Sequence, residues 1–208
     1  MTCPCNLTKS LAILAVAMLL PAVSYAQGDT IPERLAQGSM GRTRGSGSGH
    51  PPSITKLLNE TDMVVRGIVG QPRVYLSDDQ RDVYTDYPLE KPVVLYEARL
   101  ASSAAPGTVP AVTVTQLGGT ITINGLTFKH EEEGLSALVP GTAGLFLLRR
   151  IGTQYRIAGT YFGAFLISEG KLTPLASREA FAPEYRGVPE GPAVQQLVAQ
   201  ARSLRKKN

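Results

Sequence analysis

Cysteine and histidine are scarce in this chain of 208 residues, and their positions exclude more than their numbers do. The two cysteines, Cys3 and Cys5, both precede an apolar block, Leu11 to Leu20. No cysteine follows that block where a lipid attachment would need one, because Gln27 stands there instead. The two histidines are His50 and His130. A serine hydrolase needs a base within reach of its nucleophile and an acid to orient that base. His130 is the one base available on the body of the chain, and no Gly-x-Ser-x-Gly elbow accompanies it. Long hydrophobic runs are missing as well. Leu11–Leu20 is too short to cross a hydrocarbon core, which takes about 20 apolar residues.

What that block does carry is an order: Lys9, then the apolar run, then Pro21 and the small-residue ending Ser24-Tyr25-Ala26. Positive charge, short apolar stretch and small residues are what an export machine and a signal peptidase read. The expectation is a signal peptide over 1–26, cut after Ala26, and a periplasmic or secreted mature protein with no stable membrane anchor. Cleavage removes both cysteines, so the remaining 182 residues can form no disulfide and must hold together by a hydrophobic core.

The chain carries a formal charge of +4, unevenly spread. Residues 27–56 hold a net +2 and residues 190–208 a net +3, whereas 57–189 hold twelve cations against fourteen carboxylates. Nucleic-acid binders carry a basic stripe on the fold itself. Here the body is slightly acidic and the basic ends lie outside it, which argues against a nucleic-acid partner.

Along the chain, residues 27–52 read as a flexible tether, because Gly38, Gly41, Gly45, Gly47 and Gly49 alternate with Ser and Arg before Pro51-Pro52. Ser53 can cap a short helix through Leu58. From Met63 the pattern turns to strands. Met63–Val69 is the first, with Gly67 marking a bend or bulge. An acidic loop at Asp78–Asp82 precedes a second extended segment at Val83-Tyr84-Thr85, which breaks at Pro88 and Pro92 and resumes over Val93–Leu100. After a loop at 101–110, alternation at Ala111–Leu117 and Thr120–Ile123 gives two more strands. Asn124-Gly125 is a hairpin turn into Leu126–His130. Glu131–Gly141 reads as a charged loop with a helical turn at Leu135–Val139. Gly144–Arg150, Tyr155–Ala158, Phe162–Ile167 and, past Glu169-Gly170, Lys171–Leu175 complete the strands. Residues 192–206 change to helical spacing, with Val194, Leu197, Val198, Ala201 and Leu204 on one face. The expected fold is mainly β: a small OB-like Greek-key barrel over 53–180, with a short helix before it and a basic amphipathic helix in the C-terminal segment 181–208. A β-sandwich is the alternative.

Three clusters invite a chemical reading. His130-Glu131-Glu132-Glu133 begins like the zinc motif His-Glu-x-x-His, but Gly134 stands where the second imidazole belongs. Asp78, Asp79 and Asp82 lack the spacing, glycine and closing Glu of a calcium loop. Tyr75, Tyr84, Tyr87 and Tyr96 gather near the first two strands with Arg66, Arg81 and Arg99. In an OB-like barrel that strand face and the adjoining loops bind oligonucleotides or oligosaccharides. Tyr84 and Asp86 share one face of their strand, and Val83, Thr85 and Tyr87 take the other. The candidate binding residues are therefore Tyr84, Thr85, Tyr87, Arg66 and Arg99. No catalytic residue, metal ligand or cofactor is assigned.

Asp62-Met-Val-Val-Arg-Gly67-x-Val69, Val83-Tyr84-Thr85, Gly118-Gly119, Pro140-Gly141 with Gly144-Leu-Phe-Leu-Leu148, and Tyr155, Gly159 and Gly163-Ala-Phe165 together resemble a family of small exported bacterial OB-like β-barrel domains without established activity. Some members are similar to accessory domains of secreted metalloproteases, and the barrel is similar to inhibitor or netrin-type modules. The chain departs from the pattern at Leu100-Ala101, where such domains often carry Lys-Gly. The expected function is a non-enzymatic module that binds a protein or glycan partner in the cell envelope. The alternatives are an inhibitor or accessory partner of a secreted protease, and a metal-dependent hydrolase built on His130 and Glu131–Glu133.

Overall fold

A computed structural model describes residues 29–38, 42–45, 51–98, 111–132, 136–159, 162–176 and 181–205. In chain order the elements are α1 (Ile31–Ala36), β1 (Arg42–Gly45), α2 (Ile54–Glu60), β2 (Met63–Val69), β3 (Arg73–Leu76), β4 (Val83–Glu97), β5 (Thr113–Leu117), β6 (Gly119–Ile123), β7 (Leu126–Glu132), β8 (Ala143–Ile151), β9 (Gln154–Ile157), β10 (Ala164–Ser168), β11 (Lys171–Pro174), β12 (Val188–Pro189) and α3 (Glu190–Arg205).

Five strands close a barrel. β2 pairs antiparallel with β4, β4 with β5, β9 with β8, and β8 with β2, while β5 and β9 run parallel through Val114↔Tyr155 and Thr115↔Arg156. Ranked along the chain, the ring reads first, second, third, fifth, fourth and back to the first. This is an OB-like Greek key, and the β-sandwich alternative falls away because the ring has no free edge.

The two faces of each barrel strand explain its composition. Met63, Val65, Val69, Val114, Phe146, Leu148 and Ile157 point inward and form the barrel core. On the other side of β2 and β8, Val64, Leu145 and Leu147 are also buried, under Leu57 and Leu58 of α2, Leu197 and Ala201 of α3, and Phe165 and Leu172 of the β10–β11 hairpin. Strands covered on both sides read as continuous apolar runs rather than as alternation, hence Met63–Val65 and Leu145–Leu148. α3 is pinned at both ends. Arg66 Nε donates to Glu190 Oε1 (2.5 Å) at its first turn, and Arg205 Nη2 donates to Asp62 Oδ1 (2.9 Å) at its last.

Several sequence expectations are corrected. β4 does not break at its prolines but runs unbroken for 15 residues. The reason is local: Arg66 pairs with Val93 and Ile68 with Glu90, so Lys91 and Pro92 bulge opposite Gly67. Lys91 takes φ +49° there, and a bulge is where a residue without an N–H fits a sheet. Pro88 is the last β4 residue in register with β5, and Leu89 the first after it in register with β2. β3 adds a strand in a stretch to which the sequence reading assigned no element, pairing Arg73–Leu76 with Val83–Asp86. The helical turn expected at Leu135–Val139 is absent over 136–139, and Leu135 lies outside the described residues.

The stretch expected as a flexible tether is partly structured. α1 opens on a full capping box between Thr30 and Glu33. It buries Ile31 and Leu35 against Val83 and Phe128 in a small third core beside the barrel. β1 then lies parallel along β7, from Arg42↔Lys129 to Gly45↔Glu132. Among the described residues, no helix is long and apolar enough to cross a membrane.

Candidate functional site

With helices and the β10–β11 hairpin over β2 and β8, the outer wall formed by β4, β5 and β9 is left to polar side chains. The alternation of β4 decides what stands there. Val83, Thr85 and Tyr87 are buried, whereas Tyr84 and Asp86 are half-exposed on the outside. On β9 the outward residues are Gln154 and Arg156, and on β5 Thr115 meets Asp86 in register.

These residues form one connected network. Thr115 Oγ1 donates to Asp86 Oδ1 (2.6 Å), and Tyr75 Oη, from β3, donates to the same oxygen (3.2 Å). Gln154 Nε2 donates to Tyr75 Oη (3.2 Å), which ties β9 to β3 across the wall. The Arg156 guanidinium lies over the Tyr84 ring, its central carbon 4.6 Å from the ring centroid, and its Nη1 donates to Tyr84 Oη (3.4 Å). A cation over a tyrosine face is held by the ring quadrupole, an attraction that strengthens where water is excluded. Tyr75 packs against Tyr84 with centroids 6.0 Å apart. Burial, and then the neighbouring Asp86 carboxylate, raise the Tyr75 phenol above its ordinary pKa. It therefore stays a hydrogen-bond donor.

Two clefts flank this network and meet at Thr115, which lines both. One, of about 290 Å³, is bounded by Tyr84, Leu117, Arg149, Ile151, Arg156 and Glu60. The other, of about 280 Å³, is bounded by Asp86, Thr113, Thr153, Gln154 and Tyr155. Each is near the lower end of the size range for small-molecule sites, enough for a single sugar ring or one amino-acid side chain.

Of the five residues that the sequence nominated, Tyr84 alone stands in this site. Thr85 and Tyr87 are each only 4% exposed. Thr85 Oγ1 donates inward to the Gly118 carbonyl (2.6 Å), and burial raises the Tyr87 phenol pKa, as expected for a side chain in the barrel core. Arg66 faces Glu190 beneath α3. Arg99 lies outside the described residues. Arg156, Gln154 and Thr115 went unnominated. Strand alternation sets Gln154 and Arg156 on one face, but only the parallel β5–β9 pairing, between residues some forty positions apart, places them beside Tyr84.

The other chemical clusters have local explanations. His130 lies in β7 in register with Gly119, and Glu131 is salt-bridged to Lys129 (2.5 Å). Among the described residues, no three His, Cys, Asp or Glu side chains come together as a metal site would need. In the acidic loop, Ser77 Oγ donates to Asp79 Oδ1 (2.6 Å) and accepts from the backbone N–H of Arg81 and of Asp82. No family model, curated protein or solved structure matches this chain.

Proposed function

We propose that this protein is an exported, non-enzymatic OB-like barrel that binds a partner of the cell envelope, a glycan in preference to a protein, on the β4–β5–β9 wall. The carrying observation is the cross-braced set Tyr75, Tyr84, Asp86, Gln154 and Arg156 on the one barrel wall left to polar side chains. Strands two and three of an OB barrel, with the loops beside them, are the usual seat of oligosaccharides and oligonucleotides. Clefts of about 290 and 280 Å³, each of a size for one ring, favour the saccharide. Asp86 accepts two hydroxyl donors on Oδ1, which fixes the carboxylate beside the clefts. Planar side chains locked by one another bind without the entropy cost of ordering them. The export pattern of residues 9–26 supports a location where envelope glycans are met.

The test is binding of the purified exported protein to an array of envelope polysaccharides, followed by calorimetry on whatever binds. Tyr84→Ala is expected to weaken binding at least about tenfold, or roughly 1.4 kcal/mol. Lys171→Ala, on the β10–β11 hairpin away from this wall, is expected to leave affinity unchanged. An array that stays empty, or equal losses for both variants, rejects the reading.

A further inference from the structure

Arg149 and Arg156 are cross-strand partners, directly opposite in the antiparallel β8–β9 pair, and both line the cleft beside Tyr84. Residues so placed share a sheet face with Cβ atoms about 4.5–5.5 Å apart, and like charges there repel. Glu60 is the one carboxylate that lines this cleft among the described residues, and it forms no ion pair with either arginine. Arg156 Nε is shielded from water and has no hydrogen-bond partner among the described residues, so this guanidinium acts in the cleft through its charge. Since Arg156 Nη1 is engaged by Tyr84 Oη and its Nε is buried, the exposed Arg149 is the guanidinium open to a ligand in the cleft. Two parallel N–H donors on an arginine fork match the two oxygens of a planar carboxylate.

We infer that this cleft selects saccharides bearing a carboxylate, of the uronic-acid class, with Arg149 gripping the carboxylate and Arg156 supplying the second charge. The inference rests on the glycan reading above and adds the ligand's chemical class. The apolar walls, Leu117, Ile151 and Ile157, and the volume of about 290 Å³ suit one sugar ring. Both cations sit at fixed register positions on a sheet, so the spacing they offer is set by the barrel and not by a loop.

The probe is an oligogalacturonate compared with its methyl ester, which has the same ring and length but no charge. A sulfated dextran and an acidic peptide serve as further arms, all by calorimetry on the intact exported protein. The free acid is expected to bind at least about tenfold more tightly than the ester, with affinity falling as salt rises. Arg156→Gln and Arg149→Gln are each expected to abolish that preference. Arg149 is exposed, so its variant is expected to fold with a midpoint no lower than the parent's, since it relieves the repulsion. Equal binding of acid and ester overturns the carboxylate inference and leaves the glycan reading standing. Tighter binding of the sulfated polymer, or equal binding of the acidic peptide, overturns it too. Silence from every saccharide removes both.

Discussion

Gly119 shows how a single residue supports the site from behind. It follows Gly118 as the first residue of β6, and its φ of +143° is one that residues with a side chain rarely adopt. A Cβ there would sit 2.5 Å from Thr85 Oγ1 and 3.0 Å from Val74 Cγ1. Thr85 is the buried neighbour of Tyr84, and its hydroxyl is already committed to the Gly118 carbonyl. Gly119→Ala is therefore expected to lower unfolding free energy by about 2–4 kcal/mol, combining backbone strain with overpacking. Urea denaturation checks this, and a loss below about 0.5 kcal/mol would contradict the close packing described. The glycine pair by itself reads as a turn or bulge between two strands. That the second glycine is enforced by a threonine 34 positions earlier was not legible, because the contact exists only once β4 and β5 are paired.

At the scale of elements, local patterns carried most of the information where one face of an element meets a core. The Ser53 cap, the Met63–Val69 strand, the Asn124-Gly125 hairpin and the helical stripe Val194–Leu204 all appear where the sequence puts them. α1 is the counterexample. Six residues amid glycine and serine bury too little to order alone, yet Ile31 is 1% exposed because Phe128 and Val83 form a seat for it. Arg34 adds a cation over the Phe128 ring, 5.7 Å from its centroid. Ile31→Ala is expected to cost about 2–4 kcal/mol of stability, the usual range for emptying a buried aliphatic site. A free tether would show no change in the same denaturation measurement. β3 escaped notice for a related reason: four residues between Pro72 and an acidic turn make a strand only by pairing with the outer end of β4.

For the molecule as a whole, the tyrosines link burial to pH. Burial is the leading cause that raises the phenol pKa of Tyr75, Tyr87, Tyr155 and Tyr185 above the ordinary 10.0. Neighbouring carboxylates add to it at Tyr75, Tyr155 and Tyr185. The unfolded chain releases these protons near pH 10, and the native barrel holds them longer. The stability that the neutral phenols confer is thus complete below the unfolded value and is lost as pH rises through the raised native values. Phenolate absorbance followed against pH is expected to lag behind that of the urea-unfolded protein and then to rise together with loss of the fold. Coincident titration curves for the two states would count against the buried placement of these rings. At the acid end, Glu33 and Asp79 have lowered pKa values, Glu33 held chiefly by the Thr30 backbone N–H and Asp79 chiefly by the Ser77 hydroxyl, both at the surface.

By itself the sequence determined the β class of the body, the helices before and after it, the Asn124-Gly125 hairpin and the placing of Tyr84 and Asp86 on one strand face. Each of these follows from periodicity, capping or charge within a few residues of chain. The tertiary structure alone decided that the ring closes through a parallel β5–β9 pair, that Thr85 and Tyr87 turn inward, and that Arg156 and Arg149 meet beside Tyr84. Those outcomes depend on which strands pair and in what register. Such long-range choices are set by burying both sides of β2 and β8 at once, and no local stretch encodes them.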